Sequence, residues 1–198
     1  MDWLEKNGEA DNTIVIFMSD NGGYATGSGW RDEPLYTQNF PLKCGKGSAY
    51  EGGIREPMIV RWPGTVQPGT RCNDYLIIED FYPSILEMAG IDDYDVPQEI
   101  DGISFVPLLK QTKNPSQGRS LYWNCPNIWG EKGPGIGPSC TIRKDNWKMI
   151  YFYETGEKEL YDIPNDIEEN NNVAALYPQI INLSLIHISE PTRLRRIS

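Results

Sequence analysis

Residues 41–63 read PLKCGKGSAYEGGIREPMIVRWP, a stretch that places a lysine between two glycines and follows it with a glycine pair and an apolar run. Lys46 lies between Gly45 and Gly47, so its ammonium can enter a site while the adjacent backbone stays close to a ligand. A compact cation suits a sulfate or phosphate oxygen and stabilises charge that builds up on a leaving oxygen. The same residue is also compatible with a solvated surface lysine, and the isolated motif does not decide between the two.

A second loop precedes this one, in residues 13–23, TIVIFMSDNGG. The continuous apolar, β-branched run from Thr13 to Ser19 predicts a strand buried on both faces. Asp20 and Asn21 follow its carboxyl end, where open α/β sheets usually bind ligands. A carboxylate and an amide oxygen are ligands that Ca²⁺ prefers, although its shell takes about six to eight oxygens. The alternative is a plain turn, for which Asp-Asn-Gly-Gly is also typical.

The rest of the chain predicts an α/β layer followed by a small antiparallel sheet. Helical spacing of apolar residues predicts a helix within residues 73–90, with either a kink or a start near Phe81 because of Pro83, and a C-terminal cap at Gly90. Further expected elements are a strand at Met58–Trp62 and a short helical turn within 101–109. Strands are expected in LYWNC, SCTIR, WKMIYFY and KELYDI, with the DN and ETGE turns between them, followed by a polar loop at 165–172 and a helix at 173–183.

Composition argues against several classes of protein. The 198 residues are 39% hydrophobic, as in an ordinary globular domain, and the formal net charge of -10 disfavours nucleic-acid binding. No apolar run approaches the roughly 20 residues that span a bilayer, and the first residues lack the pattern of a signal peptide. Residues 184–198, SLIHISEPTRLRRIS, resemble a translated sequencing adapter and are set aside; a short basic tail is the alternative.

Four cysteines fit no zinc-binding spacing. Cys125 and Cys140 flank a turn-rich loop, so a disulfide between them is one hypothesis, with reduced thiols as the other.

Taken together, the blocks resemble the sulfatase family of the alkaline phosphatase superfamily. SDNGG is followed by PLKCGKGSAYEGGIREP, WPG, DFYPSILEMAG, DGISFVPLL, TIRKDNWKMIYF and ELYDIPNDIEE, in the family's order, over nearly all of residues 11–176. The resemblance implies part of an α/β/α sandwich at 1–115, an antiparallel C-terminal subdomain at 116–183 and a non-native tail at 184–198.

The resemblance also implies the chemistry. Asp20 and Asn21 would be calcium ligands, and Lys46 would be the catalytic and substrate-binding lysine that holds the sulfate. The family's nucleophile is a formylglycine made within C/S-x-P-x-R; none of the four cysteines lies in this motif, and with residues 184–198 set aside no serine does. We therefore expect a missing N-terminal half that carries the formylglycine, the remaining calcium ligands and the address signal, and an inactive chain when alone.

The expected partner is a sulfated small molecule or glycan, not nucleic acid or a membrane, in a secreted, periplasmic or lysosomal protein; no oligomeric state is assigned. Two rivals remain open: a phosphoryl or phosphonate hydrolase of the same superfamily, and a non-catalytic calcium-dependent binder of sulfated glycans.

The sequence also leaves the roles of three local features undecided. Residues 24–40 could read a sugar through Trp30 and Tyr36 or be a solvated loop. Glu51 and Arg55, four residues apart, fit a structural ion pair. Lys43 stands where many relatives carry arginine, so the resemblance gives it no firm role as a second anion contact.

Overall fold

The computed structural model describes residues 1–25, 38–91, 93–127 and 133–189. These fall into two compact units, each formed from separate stretches of chain: Met1–Met18 with Met58–Gly118, and Ser19–Pro57 with Arg119–Ser198. The predicted domain boundaries, one between residues 115 and 116 and one between residues 183 and 184, stay predictions. Within the described residues, no helix is both long and apolar enough to cross a membrane.

The first unit contains a two-stranded sheet and three short helices. Its helices are α1 (Asp2–Lys6), α3 (Phe81–Met88) and α4 (Val106–Leu109), and its strands are β1 (Val15–Met18) and β2 (Met58–Arg61), which pair antiparallel.

Helix α3 begins and ends where the sequence predicts. It starts at Phe81, two residues before Pro83, because proline is tolerated only in the first turn. At the other end Gly90 has a φ of 72°, and the N–H groups of Gly90 and Ile91 donate to the carbonyls of Glu87 and Leu86. This pair of bonds is the Schellman motif that a glycine cap predicts.

Strand β1 differs from the expectation. Phe17 pairs with Ile59 across the sheet, and the two side chains are 67% and 66% exposed, so the prediction that β1 is buried on both faces is wrong for this chain. The physical reason is that directly opposite residues share one face, and among the described residues nothing covers this face of the two-stranded sheet.

The second unit contains the four-stranded antiparallel sheet that the aromatic runs predict. Its strands, in spatial order, are β3 (Ser120–Cys125), β4 (Ser139–Lys144), β5 (Trp147–Phe152) and β6 (Lys158–Asp162), and its helices are α2 (Glu51–Ile54) and α5 (Pro178–Ser189).

Both faces of this sheet are covered. Met149 and Ile150 are consecutive in β5, so their side chains point to opposite faces, and both are buried. Ile150 packs in one cluster with Tyr50, while Met149 packs in another with Ile181 of α5. The loop that contains Lys46 is therefore anchored to the sheet through Tyr50.

The terminal helix is longer than expected. It begins at Pro178 after a 3₁₀ turn at Ala174–Leu176 and continues to Ser189, and Leu185 packs against the Met149 cluster. The helix thus enters the segment set aside as a tail.

The disulfide hypothesis is wrong in this structure, because all four cysteines are free thiols. Cys125 pairs with Ser139 and Cys140 pairs with Asn124 across β3 and β4. Since adjacent residues of a strand face opposite ways, the Cys125 and Cys140 side chains lie on opposite faces of the sheet and cannot meet.

Candidate functional site

The loop at residues 19–23, here called the acidic loop, has its conformation fixed by its own polar side chains. The Ser19 hydroxyl donates to the Asn21 carbonyl at 2.8 Å, and the Asn21 amide nitrogen donates to the Gly22 carbonyl at 3.1 Å. With that nitrogen engaged, the amide oxygen is the ligand atom that Asn21 can offer. Asp20 is exposed, and Asn21 is half-buried.

Residues 43–53, here called the lysine loop, turn back on themselves and include the first three residues of α2. Cys44 and Gly47 both have left-handed backbones, with φ of 61° and 84°. The Gly52 N–H donates to the Lys43 carbonyl at 3.0 Å, and the Ser48 N–H donates to the Gly45 carbonyl at 3.0 Å. These bonds close a compact loop that presents Lys46 near its tip.

The acidic loop and the lysine loop contact each other backbone to backbone. The Lys46 N–H donates to the Gly23 carbonyl, and the Gly22 N–H donates to the Gly53 carbonyl, both at 3.1 Å. A Cβ at Gly22 would lie 1.8 Å from the carbonyl oxygen of Gly52, which is far inside a van der Waals contact. The glycines are therefore required by the packing of the two loops as well as by any turn.

Asn39 joins the two loops through one side-chain amide. Its Nδ2 lies 3.0 Å from the carbonyl oxygen of Gly23, 2.9 Å from that of Cys44 and 3.2 Å from that of Gly52. The sequence placed Asn39 in the segment 24–40, interpreted either as a sugar-reading segment or as a solvated loop, and no local signal indicated this bridging role. Trp30 and Tyr36, which carried the sugar-reading hypothesis, lie outside the described residues.

Asn21 and Lys46 share one pocket. It has a volume of about 460 Å³, and the described residues that line it are Ser19, Asn21, Gly22, Gly23, Tyr24 and Lys46. Asp20 is adjacent in sequence but is not among these lining residues. The structure thus brings two of the three predicted site residues to one cavity, while the roles assigned to Asp20, Asn21 and Lys46 stay predictions.

The donor atoms near Asp20 fit a hard cation in kind but not in number. Burial raises the pKa of the Glu56 carboxyl, and the nearby negative charge of Asp20 raises it further. Glu56 Oε1 is buried without a hydrogen-bond partner in the described structure. Carboxylate and amide oxygens suit Ca²⁺. However, no group of three or more His, Cys, Asp or Glu side chains converges as a metal site in the part of the chain that the structure describes.

Glu51 belongs to a buried ion cluster that holds α2 on the sheet. The predicted pair with Arg55 is present at 3.4 Å, and Glu51 Oε1 also lies 3.0 Å from Nζ of the fully buried Lys148. The same ammonium lies 2.9 Å from Glu169 Oε1, and the Glu51 N–H donates to Glu169 Oε2 at 2.6 Å.

The two carboxyls of this cluster differ in acidity. For Glu51, burial acts to raise the pKa, but the charge of Lys148 and its hydrogen bond, with smaller contributions from Arg143 and Arg55, hold it below its usual value. For Glu169, burial dominates and raises the pKa, although Lys148 opposes this shift. The cluster has a structural role and lies outside the lining of the pocket.

Lys43 is turned into the protein. Its Nζ donates to the Glu169 carbonyl at 2.9 Å and lies 4.0 Å from the centre of the Tyr50 ring. These contacts use the ammonium within the fold, which agrees with giving Lys43 no role as an anion contact.

Comparison with known proteins identifies the family. Residues 44–184 match the family described as N-sulphoglucosamine sulphohydrolase, C-terminal. The chain belongs to the sulfatase family, and the matched residues correspond to its C-terminal region.

Individual relatives agree with this assignment. The chain is 33% identical to a sulfatase of Formosa agariphila, over 93% of this chain and 33% of that protein. It is 32% identical to an N-acetylglucosamine-6-O-sulfatase of Bacteroides thetaiotaomicron, over 87% of this chain and 28% of that protein. The chain thus spans about a third of the length of the curated relatives it matches.

Solved structures confirm the α/β fold class. Ps i-CgsB in complex with k-i-k-neocarrahexaose superposes with a TM-score of 0.79 at 30% identity, covering 96% of this chain and 38% of that one. BT4656 in complex with D-glucosamine-2-N,6-O-disulfate gives a TM-score of 0.67 at 26% identity, covering 97% and 36%.

The formylglycine motif has one match in this chain by sequence letters alone. Ser189, Pro191 and Arg193 fit S-x-P-x-R by their letters, within the segment 184–198 that the sequence analysis set aside. Short motifs match by chance, and this one lies beyond the residues matched by the family. Residues 190–198 are outside the described structure, so we assign this match no role.

Proposed function

We propose that this chain forms part of the active site of a sulfate-ester hydrolase. In this proposal Lys46 binds the sulfate group, and Asp20 and Asn21 hold a calcium ion beside it. The observation that carries the proposal is the shared pocket, since Asn21 and Lys46 line the same cavity although they are separated by 25 residues of sequence. Membership of the sulfatase family supports the reaction class.

Each residue would act through simple electrostatics. The Lys46 ammonium would contact a sulfate oxygen and stabilise negative charge as the ester oxygen leaves. Asp20 and Asn21 would supply a carboxylate and an amide oxygen to the cation, with Glu56 as a neighbouring carboxyl. When bound, calcium would neutralise charge on the sulfate.

The proposed substrate is a sulfate monoester on a saccharide. The support comes from the relatives, because one is an N-acetylglucosamine-6-O-sulfatase and two similar structures contain saccharide ligands. The pocket is lined by polar residues and by Tyr24, a set of residues that suits a sugar.

In this proposal the chain binds sulfate and calcium but does not hydrolyse a sulfate ester by itself. Of the residues described, the pocket lining includes no Cys, His or carboxylate that could act as nucleophile or base. We therefore expect the 198-residue chain to show no turnover of an aryl sulfate.

The test is calorimetric titration of the full chain with sodium sulfate and with calcium chloride. Lys46→Ala should weaken sulfate binding by about tenfold, equivalent to 1.4 kcal/mol, because it removes the ammonium contact. Asp20→Asn should weaken calcium binding by a similar factor. Lys6→Ala, at the exposed end of α1, is the matched control and should leave both affinities unchanged.

Three results would contradict the proposal. The first is an unaltered sulfate affinity in Lys46→Ala, and the second is no binding of either ion by the wild-type chain. The third is aryl sulfate turnover by the chain alone that Lys46→Ala abolishes, which would place a complete catalytic centre within these residues.

A further inference from the structure

We infer that Asn39 is a positioning residue for the sulfate site, and that its amide sets where Lys46 lies relative to Asn21. The expected effect on sulfate binding rests on the proposed function. The Asn39 hydrogen bonds from which we infer it do not depend on any ligand.

Three backbone carbonyls converge on the Asn39 amide nitrogen. The Gly23 carbonyl belongs to the acidic loop, and the carbonyls of Cys44 and Gly52 belong to the lysine loop, at 3.0, 2.9 and 3.2 Å. An amide nitrogen carries two N–H donors, so three acceptors share two hydrogens. One side chain therefore contacts both loops at once.

The chemistry of this position requires a hydrogen-bond donor. Carbonyl oxygens carry partial negative charge and would repel each other if no donor lay between them. An aspartate at residue 39 has nearly the same shape but presents only acceptors when ionised. Alanine would leave the three carbonyls without this partner, at a half-buried position.

The Asn39 side chain is linked to the pocket through the carbonyl oxygen of Gly23. The Gly23 carbonyl oxygen that accepts from Asn39 also accepts the backbone N–H of Lys46, at 3.1 Å. Gly23 and Lys46 both line the pocket. A shift of the Gly23 carbonyl would therefore move both walls of the proposed sulfate site.

The packing leaves little room for compensation. A Cβ at Gly45 would lie 2.2 Å from the Gly23 carbonyl oxygen, so the two backbones are already as close as glycine permits. When the Asn39 bonds are lost, relaxation should occur by separation of the loops, which lowers affinity for sulfate.

The experiment uses the full chain and two readouts. Asn39→Asp and Asn39→Ser are titrated with sodium sulfate, and the hydrogen exchange of the Lys46 amide is followed by NMR. Asp should weaken sulfate binding about tenfold and speed Lys46 amide exchange by a similar factor. Ser keeps one donor in place of two and should give intermediate values.

Two controls separate positioning from stability alone. Asn7→Asp makes the same chemical change where the amide donates to a single carbonyl, that of Trp3 at 2.7 Å, and should alter neither readout. Ile150→Val removes one core methylene in the same unit and should lower the midpoint of urea denaturation without changing sulfate affinity.

The possible results test the Asn39 inference and the proposed function separately. Unchanged Lys46 exchange in both Asn39 variants, or faster exchange with unchanged sulfate affinity, overturns the inference while the proposed function stands. No sulfate binding by the wild-type chain overturns the proposed function, and the exchange of the Lys46 amide then still tests the coupling of the loops. If Asn39→Asp does not fold, Asn39→Ser gives the same comparison.

Discussion

Cys44 has a left-handed backbone, with a φ of 61°, immediately before the Gly45-Lys46-Gly47 turn. Residues other than glycine adopt this region at a cost of about 1–2 kcal/mol. Its side chain packs against the Tyr50 cluster, and burial raises the pKa of its thiol above the usual value. The thiol is therefore a packing group and a poor nucleophile at neutral pH.

The first prediction contrasts two substitutions at Cys44. Cys44→Gly should change the free energy of unfolding by less than about 1 kcal/mol, because relief of the left-handed strain offsets the lost packing. Cys44→Val should cost about 2 kcal/mol or more, since a β-branched residue fits this region poorly. Urea denaturation measures both. Equal stability of the two variants would show that the backbone at Cys44 is not strained.

For single residues, the sequence predicted a role where the residue type and its immediate neighbours already suggest a function. Lys46 between glycines and the Asp20-Asn21 pair were identified from local motifs. Asn39, Lys148 and Glu169 were not, because their roles depend on contacts between distant segments. The Lys148–Glu51 bond spans 97 residues, and the Lys43–Glu169 bond spans 126.

Among the elements, β5 shows where a simple strand pattern fails. Alternation would place Lys148 toward solvent, next to buried Met149, yet Lys148 and Met149 are both buried. Both faces of the sheet are covered, and the charge is accommodated because Glu51 and Glu169 flank it. Turn residues, by contrast, predicted the hairpins: Asp145 and Gly156 both have positive φ where the sequence indicated turns.

The second prediction concerns Lys148→Met. Removing the ammonium leaves the carboxyls of Glu51 and Glu169 buried together, which should cost about 3–5 kcal/mol of stability at pH 7. Urea denaturation at several pH values measures this. Lys144→Met, at the exposed end of β4, is the control and should stay within about 0.5 kcal/mol of wild type.

The difference in the free energy of unfolding between wild type and Lys148→Met should become smaller as the pH falls from 7 toward 5. Without the ammonium, both carboxyls have folded pKa values above their unfolded values, so protonation favours the folded state. In the wild type, Glu51 has a lowered pKa and contributes stability that is lost as pH falls through that pKa, while the raised pKa of Glu169 acts in the opposite direction. A deficit that is constant or grows on acidification would contradict this account of the cluster.

Across the whole molecule, the two compact units differ in how completely their sheets are covered. The four-stranded sheet has a buried cluster on each face, whereas the β1–β2 sheet exposes Phe17 and Ile59. The sequence predicted apolar strands in both places. It did not predict which would be covered, because coverage depends on neighbours outside the strand itself, and the chain spans about a third of the relatives it matches.

The final prediction follows from the exposed pair on the β1–β2 sheet. Two-stranded sheets with open edges and apolar faces favour association between molecules. The double variant Phe17→Thr with Ile59→Thr should therefore reduce self-association of the chain, measured by sedimentation at increasing concentration, while changing the free energy of unfolding by less than about 0.5 kcal/mol. Ile150→Thr, in the buried cluster with Tyr50, is the contrasting control and should cost at least 2 kcal/mol, because it places a hydroxyl in an apolar core. A double variant that loses as much stability as Ile150→Thr would mean that Phe17 and Ile59 are covered in solution, since only buried apolar side chains contribute on that scale.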